Sequence, residues 1–350
     1  MNSPLLLRTA LRAGTLLCAA AVVCLALAGC GKSDANSIVV YSPHGKDLLE
    51  FCVNEFHKVH PEIDVQWLDM GSQDCLDRIR SEHANPQADL WWGAPASLFA
   101  QAEREQLLAP YAPTWKSAAP AETHSATDAW YGTFQTPEVI AYNTTAVPAD
   151  RLPKDWDDLL DAEWRGKIVI REPLASGTMR TIFCSIIQRE AKRTGSVDSG
   201  FAWLQKLDAN THAYCADQTQ LYLKLSRGEG SVTVWNMPDI MLQAEQHHYP
   251  FGYIVPASGT PVLTDGIALV KGGAHAQAAQ QFYEFVTSRD MAIAAATQFY
   301  RIPVRSDLDT AQLPQWMRRP VPHMAVDWAD IGAHEQEWMK RWSDRVKSSQ

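Results

Sequence analysis

Basic charge is in short supply in this chain of 350 residues: lysine and arginine total 31 against 40 aspartates and glutamates, a net charge of −9. That balance removes nucleic acid from the expected partners. Catalytic signatures are missing as well, with no GxSxG elbow, no HExxH and no GxxxxGK[ST] loop. His57 and His60 stand one helical turn apart, but no third metal ligand accompanies them, and nothing calls for a cofactor. Repeats and low-complexity tracts are absent, and no CxxC spacing points to zinc. After the first thirty residues no apolar run is long enough to cross a bilayer. What remains is an ordinary globular composition, 46% hydrophobic and 20% charged, on a length that fits about two domains. Tryptophan, at 13, is abundant, and a surplus of it often builds aromatic walls in recognition sites.

The first thirty residues stand apart from the fold. Arg8 and Arg12 give a positive start, Ala13 to Ala28 is almost wholly apolar, and Leu27-Ala28-Gly29-Cys30 follows. This is the pattern of a secretory signal peptide, residues 1–29, and its end resembles the lipobox of bacterial lipoproteins. The resemblance implies cleavage before Cys30, a diacylglycerol on its sulfur and a membrane anchor through that lipid. Residues 30–37 read as a polar tether. Four cysteines are then left in an oxidising compartment: Cys52, Cys75, Cys184 and Cys215. An even set there suggests disulfides, and pairing within each half, Cys52–Cys75 and Cys184–Cys215, is the expected arrangement.

The mature chain opens with alternating strand and helix. Ile38–Tyr41 is a strand; Asp47–Val59 has its apolar residues at helical spacing; Ile63, Val65 and Trp67 alternate; Ser72–Glu82 is a helix; Ala88–Trp92 a strand; Ser97–Leu108 a helix. Such an order builds a parallel sheet with right-handed crossovers. Trp130–Asn143 is a long extended stretch. A second strand–helix system follows, from about Val139 to Tyr253, then the extended Phe251–Val270, helices from Ala274 to Phe299, and one more near the carboxyl end. In open parallel sheets ligands sit outside the carboxyl ends of the strands. Three turns share that edge: Ser42–Gly45, Gly71-Ser72-Gln73 and Trp92-Gly93-Ala94. Two of them open helices, whose free N–H groups attract negative charge.

The stretch from Tyr41 to Tyr111, with its ADLWWG segment, together with WDDLLDAEWRGKIVI, the Ser176-Gly177-Thr178 turn, RGEGSVTVWN and RIPVRSDL, resembles the solute-binding proteins of bacterial ABC importers. The group is the one that includes the periplasmic ferric-iron-binding proteins. The resemblance implies an α/β chain with the two-lobed, type II periplasmic binding protein fold, each lobe a mainly parallel sheet flanked by helices. Lobe 1 would be 38–133 plus 264–350 and lobe 2 would be 134–263, with hinge crossings at Gly132–Tyr142 and Tyr253–Asp265. It also implies an importer permease as partner, a monomer, and no enzymatic step.

The iron-binding members are implied to use a histidine, a glutamate and two neighbouring tyrosines. Those positions fall here on His44 or Gly45, on Ala94, and near Pro238 and Asp239, so the glutamate carboxylate and both phenolates of that ferric site are missing. Tyr214 and Tyr222 are the phenols considered as substitutes. The expected ligand is instead a small organic anion, phosphorylated or of phosphonate type, with ferric iron as the alternative. Ser42, Ser72, Ser176 and Thr178 offer hydroxyls, and the turns at Gly45, Gln73, Gly93 and Gly177 offer N–H groups. Trp92 and Trp235 can flank a solute or pack beneath it. Gln135, Asn236, Asp239 and Arg180 complete the candidate set. A hydrolase or transferase with His44 and Asp239 as a base pair is a third, different reading.

Overall fold

The computed structural model describes residues 36–319 and 321–347; the signal segment, Cys30 and most of the tether lie outside the described residues. Alternation decides the first elements. In β1 (Ser37–Ser42) Ile38 and Val40 enter one core, while Val39 and Tyr41 turn to the opposite one. β1 pairs in parallel with β2 (Asp64–Asp69) and with β3 (Leu90–Pro95). Parallel neighbours need a crossover, and α1 (Lys46–Val59) and α2 (Ser72–Ser81) supply them. α1 buries Leu48, Leu49, Cys52, Val53 and Phe56 on one face of the sheet. α2 and α3 (Ala96–Arg104) bury Cys75, Leu76, Ile79, Leu98 and Phe99 on the other, against Tyr41 and Trp91.

One strand holds the molecule together. β5 (Tyr131–Asn143) pairs antiparallel with β10 (Val262–Val270) over Tyr131–Pro137, and then with β8 (Val232–Asn236) over Glu138–Tyr142. β6 (Ile168–Arg171) runs parallel to β7 (Thr211–Cys215) and to β8. The strand order is therefore β2-β1-β3-β10-β5-β8-β6-β7, with β4 (Leu108–Ala109), β9 (Phe251–Ile254) and β11 (Ile302–Pro303) pairing off that path. The first expected crossing is β5 itself, and the second is the passage from β9 into β10. Around the second sheet pack α4 (Gly177–Thr194), α5 (Val197–Asn210), α6 (Gln218–Ser226) and α7 (Met237–Glu245), over a core with Trp156, Ile170, Phe183 and Leu204. α8 (Ala276–Val286) and α9 (Arg289–Phe299) return to the first core through Ala279, Phe282 and Phe299.

Two expectations are corrected here. The last helix, α10 (Trp328–Arg345), was expected in the first lobe, but Ile331, Trp338, Met339 and Trp342 bury into the second core. The chain crosses once more beforehand, where Thr260 bridges His323. An amphipathic stripe says that a helix is covered, not which core covers it. The expected disulfides are also absent: Cys52, Cys75, Cys184 and Cys215 are buried free thiols. Cys52 and Cys75 lie on opposite faces of the first sheet, so the sheet itself separates them. Cys184 faces Glu335 and Arg180, whereas Cys215 lies beside Lys224 and Arg171. Burial raises all four thiols above their ordinary range.

Candidate functional site

Four helix starts converge where the lobes meet. Gly71 precedes α2, Ser176 caps α4 by accepting from Met179 N at 3.3 Å, Asp217 caps α6 through Gln220 N at 2.8 Å, and Asn236 caps α7 through Asp239 N at 2.9 Å. They surround a cavity of about 170 Å³. Ser72 and the Ser176–Thr178 turn, from opposite lobes, line it together with Pro95 and Arg171. Deeper in, Thr136 and Asp265 from the crossings join Trp235, Asp239 and Arg301.

The lobes touch around this space. Gln73 N donates to Ala175 O at 3.4 Å, and His247 Nε2 meets the Asp47 carboxylate at 2.7 Å. A Cβ on Gly177 would stand 2.5 Å from Pro95 Cδ and 2.8 Å from Ser72 Oγ, so glycine permits the approach. Gly93 serves His44 in the same way: it has φ +95°, and a Cβ there would stand 2.6 Å from the imidazole. Ala94 shares that φ of +95°, a strained value for a residue with a side chain, and directs its N–H to Asp265.

The charges are unequally matched. Arg301 Nη2 pairs with Asp239 Oδ1 at 2.6 Å, and its Nε is buried without a partner. Asp239 is tied further, since Asn236 Nδ2 (2.8 Å), Trp235 Nε1 (3.2 Å) and Tyr222 OH (3.2 Å) all donate to Oδ2. Arg171 reaches only the Cys215 carbonyl, at 3.5 Å, and forms no ion pair among the described residues. Burial, before any neighbour, pushes Asp265 up to about 7; Arg301 and the Thr136 hydroxyl at 3.3 Å act against it. Glu138, on β5, is fully buried with neither carboxylate oxygen bonded, and burial followed by Asp265 and Asp239 holds it well above the usual carboxylate range. Asp69, still open to solvent, is pushed up to about 6 by desolvation. His44 packs on Trp92 and Phe134, at centroid distances of 5.1 and 4.9 Å. Burial, then Arg301, keeps it neutral by lowering it well below its ordinary value, and its Nε2 has no partner.

The sequence profile of the bacterial extracellular solute-binding proteins matches residues 85–333. The chain belongs to that family. A probable ABC transporter periplasmic-binding protein, y4fP of Sinorhizobium fredii, is 28% identical over 263 residues, 75% of this chain and 72% of that protein. A putative 2-aminoethylphosphonate-binding periplasmic protein of Salmonella typhimurium is 28% identical over 187 residues, 53% of this chain and 52% of that one. Among solved structures, the periplasmic binding protein AfuA of Actinobacillus pleuropneumoniae, determined with fructose-6-phosphate, superposes with a TM-score of 0.78 at 22% identity, covering 89% of this chain and 99% of that one. Iron-uptake and ferric-binding proteins are also among the similar proteins. The fold is thus the type II periplasmic binding protein fold, and the protein is the solute-binding component of an ABC transporter.

In this solute-binding protein the cavity takes in His44, Ser72, Ser176, Gly177, Thr178, Trp235, Asn236 and Asp239 from the expected set. Seven others stand elsewhere. Trp92 lies beneath His44 in the first core. Gly93 supports His44, and Ser42 Oγ accepts from His44 N at 3.2 Å. Gly45 abuts Gln218, with its N–H turned to Asp69. Gln73 binds Asp77 at 2.9 Å over a separate groove, and Gln135 lies within β5 between β10 and β11, away from the cavity wall. Arg180 is spent on Leu174 O and Glu335. The proposed base pair does not form, because Asp239 bonds Asn236, Trp235, Tyr222 and Arg301, and none of its bonds goes to His44. The two spare phenols are likewise engaged, Tyr214 OH with Asp208 at 2.6 Å and Tyr222 OH with Asp239. Sequence reasoning missed Arg171, Arg301, Asp69, Asp217, Thr136 and Asp265. For Arg171, Asp69 and Asp217 the strand-end rule that selected the turns would have served, since each ends a strand or caps the next helix.

Proposed function

We propose that this protein captures a small organic anion carrying a phosphoryl or phosphonyl group and delivers it to an importer permease. The observation that carries the reading is the pairing of Arg171, a buried guanidinium with no ion pair among the described residues, with the Ser72 and Ser176–Thr178 helix starts around one cavity. Each start presents unbonded N–H groups and about half a positive charge, and a guanidinium adds paired donors suited to phosphoryl oxygens. The volume favours a small solute, since about 170 Å³ lies below the roughly 300 Å³ at which ordinary ligand pockets begin. The relative described as 2-aminoethylphosphonate-binding supports the same class. The positions matching the iron ligands of the group carry Ala94, Pro238 and Asp239, which disfavours the ferric reading. The mature chain acts as a monomer in the cell envelope, anchored by lipid on Cys30.

Calorimetric titration with 2-aminoethylphosphonate, glucose 6-phosphate and ferric citrate tests the ligand class. Saturable micromolar binding of a phosphorus compound, about −8 kcal/mol, is the expected result. Chelator-sensitive binding of iron, with neither phosphorus compound bound, would reinstate the ferric reading.

A further inference from the structure

The deep end of the cavity has more negative groups than positive ones. Among the described residues Arg301 is the guanidinium there, about 5% exposed, and Asp239 already neutralises it at 2.6 Å. That leaves Asp265, 8% exposed and lining the cavity, with hydrogen-bond donors and, among the described residues, no cation near it but the Arg301 already engaged by Asp239. Behind it Glu138 is completely buried, with both oxygens unbonded. A buried carboxyl without a cation is costly to ionise, and it either stays protonated or waits for a positive charge from outside. Burial does hold both groups above the ordinary carboxylate range.

The outer end is the reverse in its donors. The hydroxyls of Ser72, Ser176 and Thr178, the starts of α2 and α4 and the unpaired Arg171 meet there. Asp69 and Asp217 stand on this side too, each exposed along one edge and each acting on Arg171. A solute that is only anionic satisfies this outer end and leaves Asp265 as it was.

Resting on the phosphoryl or phosphonyl reading above, we infer that the solute is dipolar: it carries a cationic group, an ammonium in the simplest case, that docks against Asp265 while its anionic group faces Arg171 and the Ser176–Thr178 turn. Trp235 lies on the wall of the same cavity and offers an apolar surface to the carbons between the two charges. The arrangement is a filter by charge. A neutral alkyl end leaves the carboxyl unpaired, and a second anion meets it repulsively.

The test uses the full chain in detergent, titrated by calorimetry with 2-aminoethylphosphonate and with propylphosphonate, in which a methyl group replaces the ammonium at nearly constant size. The expected result is at least tenfold tighter binding of the amine. A ratio below ten overturns the inference and leaves the phosphonyl reading standing, whereas no binding of either compound or of glucose 6-phosphate overturns both. An Asp265→Asn variant should lose the preference. A preference retained by a folded variant refutes the placement at Asp265. If that variant does not fold, the wild-type ratio still decides.

Discussion

Arg171 closes β6 with its guanidinium buried and lining the cavity, and among the described residues it forms no ion pair, although Asp217, Asp74 and Glu172 act on it from farther off. A buried charge kept without a partner works against stability, so its retention is explained by what it binds. Arg171→Met keeps the stem and removes the charge. A hydrogen bond to a charged group is worth about 1.5–3 kcal/mol, so affinity for a phosphonate should fall by roughly 10- to 100-fold. The melting temperature of the ligand-free protein should stay level or rise, because the desolvated charge has gone. Unchanged affinity in a titration would remove Arg171 from the site. The same residue shows how single positions escape sequence reading. In KIVIRE it is the last letter before an acidic one, and nothing local says that its head points into a cleft rather than to water. Ser176, Thr178 and Asn236 were legible because turn and cap chemistry is local. Arg301 and Asp265 reach the site from far along the chain, through strand pairings that no short pattern contains.

Elements were easier to read than the contacts between them. The strands and helices from Ile38 to Leu108 stand close to where alternation and helical spacing put them, because each has one or two buried faces of fixed period. The long extended stretch at Trp130–Asn143 was also legible, and as β5 it is, among the described residues, the strand paired in both sheets. The lobe assignment of α10 was not, since its stripe is filled by a core assembled from distant segments. Closure also lives at this scale. α4 begins at Gly177 directly against Pro95, which ends β3, so two rigid elements of opposite lobes meet with no side chain between them. Gly177→Ala places a methyl 2.5 Å from Pro95 Cδ in the shape seen here, while alanine suits the helix itself better than glycine does. The variant should fold normally yet stay open. Small-angle scattering with saturating 2-aminoethylphosphonate should show the radius of gyration contracting for the wild type and not for the variant, with weaker binding alongside. Equal contraction in both would show that the lobes close without this contact. The reasoning requires only that the solute prefer the closed form, since equal affinity for both forms shifts nothing.

For the whole molecule, the buried acids set a pH dependence whose sign can be worked out. Asp265, held at about 7, and Glu138, held well above its usual value, bind protons more tightly folded than unfolded. Between the unfolded carboxylate range near pH 4 and their folded values, the native state therefore carries more protons, and stability falls as pH rises. Their contribution is fully present below about pH 4; that of Asp265 is lost as pH passes 7, and that of Glu138 as pH rises through its own raised value. Asp307 acts oppositely: hydrogen bonding from Arg305, then Arg289, holds it well below the ordinary range, and its contribution disappears as pH falls. The ligand-free protein should thus be most stable in mildly acidic solution and lose stability from pH 6 to pH 8. Asp265→Asn removes one descending group and should flatten that limb, and Glu138→Gln, which keeps the shape without the titration, should flatten it at its upper end. Thermal melts of the three proteins at half-unit steps of pH measure this. If the wild type gains stability from pH 6 to 8, or if neither variant changes the slope, these two carboxyls are not the groups that set it. Saturation with 2-aminoethylphosphonate gives a further reading on the same axis. An ammonium beside Asp265 ionises it in the native state, so the bound wild type should lose less stability over that interval than the ligand-free wild type does.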